Sequence, residues 1–417
     1  MNRQVNTFAF FSRVTKTALF GSLMLFGCAT QEAANTPPPA TTTVASASPA
    51  APAAPAPITA LPHEEAILLA ARDLFNKAQL PAGKTYQVVI DPLVDGSTGY
   101  RSIATASMEK RVVSLVKSDF PQYEIKPFNS ALVHNLPLIM VGTFTPINLQ
   151  GKADGEKDAY RVCFALADLK TGKIVSKGFA RSQTAGVDPT PLPYFNDVPF
   201  WVQDKVIEGY VKTCQGSKAG DPIHPAYIDT VVAATTIDEA MQAYDKKNYK
   251  DALALFNAVL RNPAGDQPRV HAGLYMVNQK LGKRQAAMQE FDKIVRYGLT
   301  GNRLAMRFNF NPGGSAFASD GNPYQQWLKG LAGQAAKLPA CLEVAGHADR
   351  GGSEQINERL SLQRAEFVKQ QIVMERKELA KRVTAQGYGS RQTLIGTGKS
   401  DASDALDRRI EFKPLAC

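Results

Sequence analysis

The chain has 417 residues, 44% of them apolar and 21% charged, which is the make-up of an ordinary globular protein of two to four domains with material for real cores. Its net charge of +10 would suit nucleic acid, anionic lipid or an anionic cell-wall polymer. No basic run carries interleaved aromatic residues, so nucleic acid is set aside as a partner.

Residues 1–27 read as an export signal. Arg3, Arg13 and Lys16 supply a positive start, and no acid precedes Glu32. The apolar run from Thr17 to Phe26 is too short to span a bilayer stably. Leu25-Phe26-Gly27-Cys28 closes it. Residues 29–60 are Ala, Pro, Thr and Ser almost throughout; such a stretch cannot bury a core and favours extended polyproline II. At about 3.1 Å per residue it would reach roughly 100 Å, a tether or an inert spacer.

Residues 61–216 are predicted to form an α/β domain. An amphipathic helix opens at His63 and runs to about Ala78, and Tyr86 to Asp91 is a strand ended by Pro92. A helix follows through Met108, Val112 and Val116, then a strand over Leu138 to Gly142. Tyr160 to Leu169 and Ile174 to Ala180 flank Thr171-Gly172 as a hairpin, and Trp201 to Thr213 is expected as a closing helix. Asp91, Asp95 and the Gly-rich loop beside them could bind a ligand, but they are read as turn chemistry.

Residues 228–298 are predicted to be two helical hairpins. Ala240, Tyr244, Tyr249, Ala252, Leu253, Phe256 and Leu260 mark the first, and Ala272, Leu274, Leu281-Gly282, Ala286, Phe291 and Ile294 the second. Residues 302–417 read as strand, helix, strand, helix and two further strands, an α+β sheet with helices on one face. The first strand is expected over Arg303 to Phe310 and the first helix over Gln325 to Ala336.

The stretch with the most chemistry lies in this last region. Cys341 to Ala345 is an apolar strand that empties into Gly346-His347-Ala348-Asp349. Ser353 is a candidate N-cap for the helix that follows. On it Ile356, Leu360, Val368 and Ile372 share a row expected to face the core, and Arg364 sits on the same row. A guanidinium there must be paired or border a cleft. The residue types leave two readings open: Asp349 and Arg364 neutralise each other, or they hold a zwitterion, with Asp349 on its ammonium and Arg364 on its carboxylate.

Five cysteines are present. With Cys28 set apart for modification, Cys163 and Cys214 fall in one predicted domain, and Cys341 and Cys417 in another. Bridges within each pair are expected, in an oxidising compartment. No C-x-x-C, G-x-S-x-G or H-E-x-x-H occurs, and neither a metal, a cofactor nor catalysis is expected. Gly396-Thr397-Gly398-Lys399-Ser400 imitates the end of a phosphate loop, but Thr393 stands where its first glycine should be and Asp407-Arg408-Arg409 is read as the next strand; a surface loop is expected. His347 is expected to hold the turn structurally.

Several motifs carry resemblances. Gly346-His347-Ala348-Asp349, Asn357, Leu360-Ser361-Leu362-Gln363-Arg364-Ala365, Gly387-Tyr388-Gly389 and Asp407-Arg408-Arg409-Ile410-Glu411-Phe412 resemble, in order and spacing, the OmpA-like carboxy-terminal domain of bacterial envelopes. Ala348 stands where that family has Thr, and the proline usual after Gly-Tyr-Gly is missing. The resemblance implies a βαβαββ domain over residues 302–417 that binds peptidoglycan. Asp349 and Arg364 would hold diaminopimelate of the peptide stem, with Asn357, Leu360 and Arg408 beside them. Leu25-Phe26-Gly27-Cys28 resembles the lipobox of bacterial lipoproteins, implying lipid on Cys28 and, with Ala29 next, sorting to the outer membrane; ordinary cleavage to a periplasmic protein is the alternative. More weakly, residues 61–216 resemble the TolB amino-terminal and CsgG-type domains, and Leu281-Gly282, Ala286 and Phe291 resemble the tetratricopeptide repeat. Together these imply a lipid-anchored tether between outer membrane and wall. The alternative is a wall-located adaptor that docks an envelope protein through residues 61–298.

Overall fold

A computed structural model describes residues 59–135, 137–318, 323–399 and 401–417. The export signal, Cys28 and the Pro/Ala-rich linker up to residue 58 lie outside the described residues, as does Ser400.

The first sheet collects β1 (Tyr86–Ile90), β2 (Val94–Asp95), β3 (Tyr123–Lys126), β4 (Leu138–Ile147), β5 (Ala159–Asp168) and β6 (Lys173–Gln183). Its order is β3-β1-β4-β5-β6, with β2 also beside β4. β1 runs parallel to β3 and β4, and β5 runs antiparallel to β4 and β6. Both faces are covered, so β4 is buried along its whole length, Thr143 and Thr145 included. Met140 packs toward α1 (His63–Lys77) and α2 (Ile103–Asp119) with Ile67, Leu74, Met108 and Val112. Ile139 and Val141 face the other way, toward Tyr210, Cys214 and Tyr227. Ser102 caps α2 through a reciprocal pair of bonds with Thr105.

The predicted helix over Trp201 to Thr213 divides. Beyond the short α3 (Ser130–Val133) and α4 (Pro193–Asp197), Phe200–Val202 forms β7, and α5 spans Lys205–Gln215. Asp204 causes the break: its side chain accepts from Val206 N at 2.8 Å and caps α5. The Cys163–Cys214 disulfide joins β5 to this helix, with 6.1 Å between Cα atoms.

After α6 (Pro225–Ile228) come α7 (Val231–Asp245), α8 (Tyr249–Val259), α9 (Pro268–Lys280) and α10 (Arg284–Thr300), two hairpins at the predicted places. Gly273 lets α9 close on α8, since a Cβ there would lie 2.2 Å from the Phe256 ring.

The second sheet has the order β10-β9-β11-β8-β7. It contains β8 (Leu304–Met306), β9 (Cys341–Gly346), β10 (Val383–Gly387) and β11 (Ile410–Leu415), with α11 (Tyr324–Ala336) and α12 (Glu354–Glu375) between them in the chain. β9 and β10 are parallel, and the remaining ladders are antiparallel. This is the expected strand and helix order, with one addition: β7 crosses from the first region to pair with β8, Phe200 opposite Met306. One apolar core therefore runs from Tyr194 through the helical hairpins to Phe412. The strand expected over Arg303 to Phe310 stops at Met306. Arg307 N donates to Pro199 O, and the Phe308 and Phe310 rings gather with Phe317 instead. The Cys341–Cys417 disulfide ties β9 to the end of β11. In chain-entropy terms each bridge contributes roughly 4 kcal/mol. No described helix is long and apolar enough to cross a membrane.

Candidate functional site

The site begins where β9 ends. Leu342 and Val344 point into the core, and Gly346 closes the strand because α12 lies against it. A Cβ on Gly346 would sit 2.0 Å from Ser361 O, and one on Gly387 would sit 2.6 Å from Leu362 N. Two neighbouring strands thus end in glycines under the same turn of α12. Here the expected helix face is corrected. The buried row is Asn357, Ser361, Ala365, Val368 and Ile372, while Ile356 is 51% exposed. A leucine-sized side chain cannot enter where the helix backbone touches the strand ends, so Asn357, Ser361 and Ala365 take that part of the row, and Val368 and Ile372 are buried as expected further along. Leu360 and Arg364 fall on its half-buried flank.

Ala348 contributes its backbone, with its N–H donating to Gly389 O at 2.9 Å. A threonine side chain is therefore not needed to join the two loops. Asp349 is buried at the helix entrance. Its Oδ1 accepts from Gly351 N at 2.9 Å, and its Oδ2 accepts from Arg408 Nη1 at 2.5 Å. Asn357 Nδ2 donates to Asp349 O at 3.1 Å, which pins the turn to the helix. Ser353 caps α12 through Ile356 N.

Arg364 is held from another direction. Its Nε donates to Gly314 O at 3.1 Å, and its guanidinium lies 4.8 Å from the Phe310 ring centre. Burial works against its charge, Asp349 supports the charge and Arg408 opposes it. Asp349 thus stands within the field of two guanidinium groups, with the direct bond going to Arg408.

Arg364 and Arg408 both line a cavity of about 730 Å³. From the expected set, Asp349 reaches its wall through Arg408, and Asn357 supports Asp349 from behind. Leu360 is not part of the wall. Residues that sequence reasoning missed complete it, among them Arg307, Phe310, Trp327, Lys280 and Asp197. Lys280 pairs with Asp197 at 3.0 Å, and Arg307 donates to Val198 O at 2.6 Å. Arg307 and Phe310 stood inside a predicted strand, where alternation hinted at a second face. Lys280 and Asp197 gave no signal, because only tertiary packing brings them here.

His347 is buried and stacks on Tyr388, with ring centres 5.3 Å apart. Neither ring nitrogen has a hydrogen-bond partner among the described residues. Burial, reinforced by Arg409, pushes its pKa down to about 2, so the ring packs as a neutral group rather than holding the turn by hydrogen bonds. Burial also works to raise the neighbouring Glu411 carboxyl. Arg409 and Arg303 outweigh it and hold the carboxyl well below its ordinary range. Arg409 Nε donates to Glu411 at 2.7 Å, and Arg303 adds a contact at 3.1 Å.

The phosphate-loop imitation is accounted for by carboxylates of the protein itself. Asp407 accepts from Leu394 N at 2.5 Å, Ile395 N at 3.0 Å and Gly396 N at 2.8 Å, and Asp404 accepts from Thr397 N at 2.8 Å. Those amides turn inward. Asp407 to Arg409 consequently precede the last strand instead of beginning it.

Comparison with known proteins agrees with this architecture at the carboxyl end. Residues 309–407 match the model described as OmpA family. Outer membrane porin F of Pseudomonas fluorescens is 39% identical over 85 residues, which are 20% of this chain and 26% of that protein. The chain thus spans about a quarter of the curated relative it matches. Among solved structures, the peptidoglycan-associated lipoprotein from Burkholderia pseudomallei is 21% identical, covering 27% of this chain and 89% of that one with a TM-score of 0.23. The cell wall anchor of the T6SS from Pseudomonas aeruginosa is 23% identical, covering 28% and 81% with a TM-score of 0.24. With the β9 turn, the α12 flank and the Asp407-Arg408-Arg409 segment in place, residues 309–407 form an OmpA family domain.

Proposed function

We propose that this chain binds peptidoglycan non-covalently through its OmpA family domain and ties the outer membrane to the wall. The observation that supports the reading is that Arg364 and Arg408 line one large cavity, with Asp349 bonded to Arg408 behind its wall. A zwitterion such as the diaminopimelate side chain fits that set: its ammonium shares the Asp349 carboxylate, and Arg364 takes its carboxylate with the guanidinium fork. The chemistry is binding without catalysis. Cys28 carries the lipid in this reading, and residues 29–60 span the gap. Cosedimentation of the full chain with purified sacculi, with free diaminopimelate as competitor, tests the binding. A chain that stays in the supernatant, or binding that diaminopimelate cannot reduce, rejects it. Replacing Cys28 with Ser should release the protein from the membrane fraction; retention with an amino terminus of unchanged mass rejects lipidation.

A second reading rests on the two helical hairpins, α7–α8 and α9–α10. In it they act as a tetratricopeptide-like adaptor, together with a TolB- or CsgG-like first domain, and residues 61–298 dock an envelope protein. In-cell cross-linking separates the two: a specific protein captured on these residues favours the adaptor, and none favours the tether.

A further inference from the structure

The cavity that Arg364 and Arg408 line has more room than one end of diaminopimelate fills. Its volume of about 730 Å³ falls among pockets that enclose whole small molecules, roughly 300–1,000 Å³. The charges on its wall show what the remaining space suits. Among the described residues five cationic side chains line it: Lys280, Arg307, Arg364, Arg408 and Arg409. Three are paired with carboxylates of the chain itself. Lys280 meets Asp197 at 3.0 Å, Arg408 meets Asp349 at 2.5 Å and Arg409 meets Glu411 at 2.7 Å. Arg307 and Arg364 are not; their hydrogen bonds go to backbone carbonyls.

Arg307 directly follows β8. Its backbone N–H donates to Pro199 O, and its Nη2 donates to Asn196 O and Val198 O, which braces the guanidinium against the end of α4. Its Nε and Nη1 have no hydrogen-bond partner among the described residues, and neither is sealed from solvent. The same holds for both Nη atoms of Arg364. Two guanidinium groups on different elements therefore present accessible, unspent donors at one cavity. Burial weighs most against the Arg307 charge and pulls its pKa below the ordinary value. Tyr100 and Asp197 support the charge without bonding to it, and Arg408 opposes it. Arg408 opposes the Arg364 charge as well. Like charges gathered in a half-buried place favour an anion beside each. One carboxylate on Arg364 leaves Arg307 unmatched.

Resting on the peptidoglycan reading given above, we propose that Arg307 holds a second carboxylate of the same stem peptide, with Nη1 donating to it. The chain then recognises the peptide and not the diaminopimelate end alone. A stem peptide offers this chemistry in two places. Its glutamate, joined through the side-chain carboxyl, keeps a free α-carboxylate, and the last alanine of an uncrosslinked stem keeps its own. Arg307 stands before residues 309–407, so the second subsite lies outside the matched family segment.

The test is calorimetric titration of the full chain with the tetrapeptide alanine, γ-linked glutamate, diaminopimelate, alanine. Two further forms carry an amide in place of the glutamate α-carboxylate or of the terminal carboxylate. At least one amide should weaken binding to the wild type by about tenfold or more, the worth of one hydrogen bond between charged groups. That penalty should vanish in Arg307→Met, and the amide whose penalty vanishes identifies the carboxylate. A merely structural Arg307 would leave the ratio between parent and amide unchanged. Thermal melts establish that the variant is folded; Arg307→Gln, which keeps a donor for the carbonyls, replaces Arg307→Met if it is not. Free diaminopimelate, titrated alongside, separates the two levels. If it binds and neither amide costs affinity, or the penalty persists in the folded variant, this proposal falls and the underlying reading stands. If neither it nor the tetrapeptide binds the wild type, both fall.

Discussion

Arg408 and Asp349 meet at 2.5 Å although 59 residues separate them in the chain. The pair is lopsided: Asp349 is 11% exposed at its side chain and Arg408 is 37% exposed. A ligand ammonium must share a carboxylate that is already engaged, while Arg408 can swing outward. Arg408→Ala should therefore cost little stability, within about 1 kcal/mol. It should still weaken cosedimentation with sacculi several-fold, because the carboxylate loses the group that aims it. Urea unfolding and pelleting assays on the same preparation check both halves. A large loss of stability with unchanged binding contradicts the assignment.

Arg364→Lys separates shape from charge. The lysine keeps the positive charge but not the fork, and hydrogen bonds to charged groups contribute about 1.5–3 kcal/mol each. Sacculus binding should fall by roughly ten- to a hundredfold, at about 1.4 kcal/mol per factor of ten. The melting temperature should barely move, since Arg364 sits on the flank of α12 and not in its buried row. Wild-type affinity in the lysine variant would remove Arg364 from the site.

Gly346→Ala addresses the scaffold. Its added methyl would meet Ser361 O at 2.0 Å, a backbone atom that cannot turn aside. Overpacking of this kind costs about 1–3 kcal/mol, sometimes more. A urea midpoint lowered accordingly is expected, with sacculus binding lost in proportion to the displacement of the Asp349 turn. An unchanged midpoint would show that α12 can move away freely.

Asp91 gives a pH dependence. Burial pushes its carboxyl up to about 7, against the hydrogen bond from Tyr227 that lowers it. In the unfolded chain it ionises near the ordinary value of about 4. Between these values the unfolded state releases a proton that the folded state keeps. Stability should therefore fall as pH rises from about 4 to about 7 and level off above. Asn cannot ionise, so Asp91→Asn should gain on the wild type across that window, by up to a few kcal/mol. Denaturant midpoints of both proteins at about pH 4 and about pH 8 measure the gain. A constant difference between them contradicts the buried, protonated carboxyl.

Much of this fold is written locally. The β5–β6 hairpin shows in two apolar runs around its Thr171-Gly172 turn, and the start of α12 shows in Ser353. The strand end that leads to Asp349 is a short-range pattern, whereas Arg364 stands beside the buried row of α12 and not on it. What the sequence hides is set at long range. Phe200–Val202 is three apolar residues, too few to carry a period, and only pairing with β8 makes them a strand. The buried row of α12 is governed by how closely Gly346 and Gly387 approach, which no helical repeat encodes. Asp91 reads as a turn residue because it stands before a proline, yet its partner Tyr227 lies 136 residues on.

Strand β7 bears on how this protein can be recombined. A gene fusion that moved residues 302–417 to a new host would carry β8 without the neighbour that covers it. Leu304–Met306 would become an open edge, ready to pair with another chain. Trp327, which packs on Phe200, Tyr275 and Phe291, would lose all three of those ring neighbours. The carboxyl-terminal domain is thus not a free cassette: a transplant that keeps its solubility must begin upstream of Tyr194 and carry the helical hairpins with it.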